Sequence, residues 1–405
     1  MADLHTAEDF NKKRAELEQD LEERRDDLPP ANILVAGITG TGKSTLLNAI
    51  FGKNFAETGT GRPVTEHMSE YHSEDIPIRI WDTVGLELDS EKTRKSIGDI
   101  CAKIAEMAEH PDPYDKVHAI WYCINSNSKR YQGAELEFIK KLHSLGVPFI
   151  IVMTQCSGDE DEVNAFQKEI EKINSSMGLN DVSVVQVLAQ PVKFRGMPEP
   201  IEPFGLDELV SLTCKKLPEF IVKGFVAAQK VSQREKRAES ECIIYDYAEQ
   251  AMKGFWDKVP LINVFTTDSK IKNMFQKLGL MYNTVLSEDA IDKISSGSNI
   301  DFHNSFWGLI APLDMGYSDK ITTLFENKKN AGFSVEAAKI DKRDRAARMI
   351  AFYGYTFIDS IEELWETSTE EQLKNIQVTV DRLIDIINKK LRERKTKTSA
   401  NTKKK

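Results

Sequence analysis

The chain has 405 residues, 40% of them hydrophobic and 29% charged, with a formal net charge of −10. That length and balance fit a folded protein of two or three domains with ample core, and exclude a fibrous or low-complexity chain. No stretch approaches the roughly 18 consecutive apolar residues of a membrane span, the charged N-terminus lacks the apolar centre of a secretory signal, and Cys101, Cys123, Cys156, Cys214 and Cys242 are scattered without paired spacing, so a reducing, cytoplasmic setting with no disulfide framework or zinc site is expected.

Residues 1–29 contain a charged helix candidate, EDFNKKRAELEQDLEERRDDL, stopped by Pro29-Pro30. NILVAGITGTGKSTLLNAIFG follows, read as an apolar strand, a glycine turn and a helix. Further strands are expected at 76–85, 116–126, 147–154 and 182–189, alternating with helices at 134–145, after Asp159 and at 204–218. Near-continuous apolar strands alternating with helices indicate a mostly parallel α/β sheet covered on both faces, which places one domain at 30–220. Beyond it the pattern turns helical, with stretches at 219–253, 268–286, 334–367 and 369–393, so 221–393 is expected to be a mainly α-helical domain. The end of the chain, 394–405, is basic: from Lys389 onward nine Lys/Arg stand against one Glu. A disordered, solvated tail is expected there, able to touch phosphate or anionic lipid. The acidic remainder argues against general nucleic-acid binding.

Gly37 to Ser44, GITGTGKS, has the spacing G-x-x-x-x-G-K-[ST] between strand and helix. Glycines let backbone amides wrap phosphate oxygens, and the helix N-terminus adds partial positive charge. The loop residues Gly37, Thr39, Gly40, Thr41 and Gly42, with Thr45 just beyond, are therefore read as nucleotide-binding. Lys43 would reach the β- and γ-phosphates, and the Ser44 hydroxyl would bind Mg²⁺. WDTVG ends the next core strand: Asp82 would hold Mg²⁺ through water, and the Gly85 amide would meet the γ-phosphate. Between them runs ETGTGRPVTEHMSEYHSED, long and rich in Gly, Pro and Thr, which reads as a mobile switch loop. Thr65 is its best candidate for Mg²⁺ and γ-phosphate, with Thr58 and Thr60 as rivals.

GITGTGKS, Thr65 in GRPVT, DTVG and the stretch HAIWYCINSNSKRYQGAELEFIKKL together resemble the translation-factor-like small GTPases, especially the Era/TrmE-like branch and the related septin-like and immunity-related GTPases. The resemblance covers roughly residues 30–220. It implies a P-loop G domain that binds GTP and GDP with Mg²⁺, with Lys43, Thr65 and Gly85 at the reacting phosphate. It also implies a base-reading turn of the form [N/T]-K-x-D after the fourth of these strands. Here Thr154 keeps its place, Gln155 stands for Lys, Cys156 is the free position and Ser157 stands for Asp. A Ser hydroxyl lacks the charge and paired oxygens of a carboxylate, and charge-assisted bonds are about twice as strong as neutral ones, so rejection of ATP is expected to weaken. Asp159, shifted two places, is the alternative reader. Ala189 in VLAQP corresponds to the loop that backs the base.

Many relatives place Gln after the DxxG glycine to orient the attacking water. This chain has Leu86, so slow intrinsic hydrolysis is expected. Ile38 replaces the asparagine that binds activating potassium in some relatives, and Arg62, Glu87 and Arg130 are candidate helpers that read equally as surface charges. A nucleotide-dependent homodimer or another protein partner would then matter. Two alternatives stay open: a nucleotide-gated self-associating scaffold with little hydrolysis, and an NTPase of relaxed base specificity. The C-terminal half resembles the uncharacterised helical domain that follows some bacterial Era-like GTPases, on its KVPLIN…D and YG patterns. That implies a partner-binding or membrane-apposed domain, and FHNSFWGLIAPLDMG is a candidate for peripheral membrane contact or for internal packing. Ala346, Ile350, Tyr353, Phe357 and Ile361 lie near helical spacing.

Overall fold

The computed structural model describes residues 28–52, 55, 62–65, 68–72, 76–83, 91–131, 133–253, 262–284, 286–297, 317–327, 342–369, 372–373 and 375–402. The expected N-terminal helix lies outside them. The chain divides into two compact units, Met1–Glu235 and Lys236–Lys405.

The first unit is built on a seven-stranded sheet in the order β2-β3-β4-β1-β5-β6-β7. The strands are β1 (Ala31–Ala36), β2 (Arg62–Thr65), β3 (Met68–His72), β4 (Ile78–Thr83), β5 (Ala119–Asn125), β6 (Phe149–Thr154) and β7 (Ser183–Gln186). Strands β4, β1, β5, β6 and β7 run parallel. Strands β2 and β3 form an antiparallel pair, and β3 is antiparallel to β4. The helices are α1 (Lys43–Phe51), α2 (Glu91–Ala108), α3 (Ala134–His143), α4 (Glu160–Ser176), α5 (Leu206–Lys216) and α6 (Glu219–Ala228).

The strands are apolar throughout because both faces are covered, and alternate residues serve different cores. Ile33, Val35, Trp121, Cys123, Ile150 and Val152 face α1, α5 and α6 through Leu46, Ile50, Leu209, Ile221 and Phe225. Leu34, Ala36, Ile120, Tyr122, Ile151 and Met153 face α2, α3 and α4 through Ile104, Phe138, Leu142, Phe166 and Ile170. Trp121 is fully buried, and its indole Nε1–H donates to Thr213 Oγ1 at 3.1 Å.

Two expectations are corrected here. Part of the presumed switch loop is sheet: β2 and β3 extend the edge beyond β4, with Ser69 opposite Asp82 and Glu70 opposite Trp81. The Gly- and Pro-rich stretch read as loop because its strand residues are short and interrupted. The first unit also extends past 220. The stretch 219–253 is two helices, and α6 lays Ile221, Phe225 and Ala228 into the sheet's core. Its Gly224 lies so close to Pro29 that a Cβ there would come within 2.0 Å of the Pro29 carbonyl oxygen.

The second unit is helical: α7 (Gln233–Lys253, which begins at the close of the first unit), α8 (Ile262–Met281), α9 (Glu288–Gly297), α10 (Ser318–Asn327), α11 (Lys342–Thr367) and α12 (Ile376–Thr402). Helix α11 is its axis. Ile350, Tyr353, Phe357 and Ile361 are buried along it, as the spacing predicts, while the side chain of Ala346 lies outside what is described. Phe357 stacks on Phe275 of α8 at 4.5 Å, and Tyr355 stacks on Tyr317 at 5.3 Å. Arg237 of α7 pairs with Asp359 at 2.7 Å and Glu362 at 2.5 Å, and the Tyr282 hydroxyl donates to Glu362 at 2.8 Å. Helix α12 continues to Thr402, so most of 394–405 is helix rather than the disordered tail expected; Leu383, Ile387 and Leu391 bury one face ahead of it, and no Gly or Pro interrupts the run. FHNSFWGLIAPLDMG, and KVPLIN up to Leu261, lie outside the described residues. Among the described residues no helix is long and apolar enough to cross a membrane.

Candidate functional site

The order of the sheet decides where a ligand fits. From β1 the chain passes through α1 to β4 on one side, then crosses to β5 on the other. The carboxyl end of β1 is therefore the topological switch point, where open α/β sheets leave a crevice. Gly37, Asp82, Asn125 and Thr154 lie at the carboxyl ends of β1, β4, β5 and β6.

The loop after β1 is forced by its glycines. Gly37 has φ +144°, and a Cβ there would stand 2.4 Å from the Cys123 carbonyl oxygen. Gly40 and Gly42 have φ +81° and +82°, which side chains adopt only with strain. The Gly37→Ala variant is therefore expected to lose about 2–3 kcal/mol of stability, seen as a fall in Tm of roughly 5–10 °C. An unchanged Tm would mean that the tight contact with β5 is not needed.

Helix α1 then starts without protection. Its N-cap is Gly42, which makes no side-chain cap, and its first turn holds no acidic residue. The first amides of a helix have no intrahelical partner, so this end offers donors and a positive dipole to an anion. Lys43 is buried, with Nζ donating to the Gly37 carbonyl at 3.0 Å and lying within 3.4 Å of that of Ile38. Thr41 donates its hydroxyl to Ile38 at 2.8 Å, closing the loop. Thr39, Gly40 and Ser44 are exposed, and Thr45 half-buried.

Asp82 lies across from Lys43, with Oδ1 3.9 Å from Nζ. It is buried, and that oxygen accepts no hydrogen bond. Burial pushes its carboxyl up to about 6, with Lys43 pulling the other way. A buried, under-satisfied carboxylate oxygen beside an anion-ready helix end fits a hydrated divalent cation held with phosphates, with the Ser44 hydroxyl as the second protein group. Because the folded carboxyl titrates above its ordinary value of 3.8, the stability from the protonated form is full below pH 3.8 and is lost as pH rises through about 6. Cation binding needs the opposite form. Mg²⁺-dependent nucleotide affinity is thus expected to fall as pH drops through about 6, and the Asp82→Asn variant to bind weakly with no such dependence; calorimetry between pH 5 and 8 checks this.

The turn after β6 closes onto this loop. The Thr154 hydroxyl is buried within bonding distance of the carbonyls of Thr41 (2.5 Å) and Ile124 (3.1 Å). It ties β6, β5 and the phosphate loop together. Gln155 has φ +55°, unusual for a side-chain-bearing residue. Its amide Nε2–H donates to the Gly40 carbonyl at 3.1 Å, and its Oε1 accepts from Asn125 Nδ2 at 3.3 Å. Its own carbonyl accepts from Ser126 Oγ, Asn127 Nδ2 and the Ser157 amide. So Gln155 holds the turn against the phosphate loop through a neutral amide. Cys156 is buried, its amide donating to the Val187 carbonyl at 3.2 Å. Ser157 is half-buried. Ala189 follows β7, where Val187 donates to the Met153 carbonyl at 2.7 Å and continues the ladder.

Asp159 sits differently from Ser157. It is the N-cap of α4, and its Oδ1 accepts from the amides of Asp161 and Glu162 at 3.1 and 3.2 Å. It cannot present both oxygens to a base edge without giving up the cap. Thr65 lies on edge strand β2, opposite Met68 in the register; its side chain lies outside what is described, as do Thr58, Thr60, Gly85, Leu86 and Glu87. Arg130 is exposed beyond Ser126–Ser128. Sequence reasoning missed Asn125, Ser126 and Asn127, which brace Gln155. Their signal was the polar run NSNS directly after an apolar strand.

A mostly parallel sheet with this loop at its switch point defines a P-loop G domain, joined here to a helical region. Residues 32–155 match the family model described as 50S ribosome-binding GTPase, which supports a GTPase-type guanine-nucleotide-binding domain in that segment. No curated protein matches the chain. Among solved structures, a probable GTP-binding protein engB is 18% identical, covering 39% of this chain and 89% of its own, with a TM-score of 0.31. Era from Aquifex aeolicus, bound to GDP and AlF4−, is 16% identical over 55% of this chain and 68% of its own, with a TM-score of 0.32. Elongation factor SelB from Methanococcus maripaludis, with the GTP analogue GppNHp, is 16% identical over 40% and 30%, with a TM-score of 0.27.

Proposed function

We propose that the first unit binds GTP and GDP with Mg²⁺ and hydrolyses GTP slowly to GDP and phosphate. The observation that carries this reading is the pairing of an uncapped α1 N-terminus and buried Lys43 with the under-satisfied Asp82 carboxylate. The amides of Gly40 to Thr45 would wrap the β-phosphate, and Lys43 would bridge the β- and γ-phosphates. Ser44 and Asp82 would hold Mg²⁺, with Thr65 joining them; bound there, the ion neutralises charge on the transferring phosphoryl group. Water attacks the γ-phosphate in line, the β–γ bridging oxygen leaves with GDP, and the Gly85 amide would meet the γ-oxygens. Leu86 has no group to orient that water, which is why turnover is slow.

Thr154, Gln155, Ser157 and Ala189 would line the guanine, with Asp159 acting as a cap rather than a reader. The nucleotide state would then control a partner-binding or membrane-apposed role of the helical unit, with Thr65 and the turn after Asp82 releasing after hydrolysis. GTP turnover measured across rising protein concentration tests the enzyme reading. A slow rate that climbs with concentration supports a nucleotide-dependent homodimer that completes the site. A slow, flat rate supports a switch that needs another protein. No turnover at any concentration would sink the enzyme reading and favour the self-associating scaffold.

A further inference from the structure

Just beyond Ala189 the chain leaves the sheet in a hairpin, PVKFRGMPEPIEPF, before α5. It is rigidly built. Leu188 and Phe204 exchange backbone hydrogen bonds at 3.0 and 3.1 Å, and Val192 and Ile201 at 3.1 and 2.8 Å. At the tip Met197 donates to the Phe194 carbonyl at 3.1 Å, and Gly196, with φ +95°, takes the position of a type II turn that demands glycine. Lys193 Nζ reaches across to the Pro198 carbonyl at 2.9 Å. Four prolines stiffen the two legs.

Such a braced element ordinarily packs its apolar side chains; here Val192 and Ile201 are half-buried, but three larger ones are left in the open. Phe194 is 45% exposed, Met197 44% and Phe204 40%, half of the most exposed large hydrophobic side chains among the described residues. The charge is sorted along the hairpin. Lys193 and Arg195 flank Phe194 at the turn, while the carboxylates Glu199 and Glu202 sit on the return leg among prolines. Two exposed apolar side chains interleaved with two cations at the turn, with the anions set back, match the order of a bilayer surface: acyl boundary, anionic headgroups, water. The chain as a whole carries −10, so attraction to an anionic surface has to come from local groups of cations; the tip is one such group and the basic run from Lys389 onward is another.

We propose that the tip at Lys193 to Met197 docks on an anionic lipid surface, with Phe194 and Met197 entering the interface and Lys193 and Arg195 at the headgroups. The tip emerges from the segment that backs the base-reading turn, so the membrane contact and the nucleotide site share one stretch of chain.

The test is flotation of the full chain with phosphatidylcholine vesicles, with and without phosphatidylserine. The wild type is expected to float only with phosphatidylserine present, and less as salt rises. Phe194→Ser with Met197→Ser is expected to abolish flotation. Lys193→Gln and Arg195→Gln are each expected to weaken binding about fivefold, and these exposed changes serve if the apolar pair lowers Tm. No flotation of the wild type, or flotation equal in wild type and tip variants, would overturn the proposal. A solution dimer that the wild type forms and the tip variants lose, without lipid binding, would assign the tip to a second copy of the chain instead.

Discussion

The Lys43→Ala variant is expected to bind Mg²⁺–nucleotide on the order of 100-fold more weakly than the wild type, and to lose measurable turnover. Lys43 is the buried cation that the loop carbonyls of Gly37 and Ile38 already hold in place. A hydrogen bond to a charged group contributes about 1.5–3 kcal/mol, and about 1.4 kcal/mol is tenfold in affinity. The removal also takes away the Lys43 ammonium that stands 3.9 Å from the buried Asp82 carboxylate. Calorimetry with each nucleotide measures the loss. Nearly unchanged affinity would mean that the phosphates are held elsewhere and that the loop is not the site.

The Ser157→Asp variant is expected to raise the preference for GTP over ATP by on the order of 10- to 100-fold. A carboxylate at this place could accept from guanine N1–H and N2–H together, each a charge-assisted bond of about 1.5–3 kcal/mol. Adenine presents a lone pair at N1 instead, which a carboxylate repels. Part of the gain is offset by nearby like charge, since Asp159, Glu160, Asp161 and Glu162 follow in the α4 cap and first turn. Competition between GTP and ATP reads the ratio. No change would show that this turn does not face the base, and the neutral Gln155 bridge to Gly40 would then be purely structural.

The core of the sheet and the phosphate loop were legible because their signals are local. An apolar run such as ILVA, glycines at positions that need positive φ, and Lys43 at the start of a helix leave little freedom. The fold class follows from the same alternation. What stayed hidden depends on neighbours distant in sequence. Strands β2 and β3 are short, and Gly and Pro in their stretch read as loop; they pair because β4 offers an open edge. Helix α6 looks like the start of the helical region, yet its apolar face belongs to the sheet. Asp159 looks like a displaced base reader because its chemistry suits that task, while its geometry suits α4, whose amides at Asp161 and Glu162 need an acceptor. The brace of Asn125, Ser126 and Asn127 beneath Gln155 could not be read without knowing that β5 and β6 lie side by side.

The central claim is that this loop and turn together bind a guanine nucleotide. Calorimetric titration of the wild-type chain with GTP, GDP and ATP, each with Mg²⁺, tests it most directly. The account predicts one site that takes GTP and GDP, with ATP weaker by a margin narrowed by the neutral turn. Absence of GTP and GDP binding, or equal affinity for ATP, would contradict it.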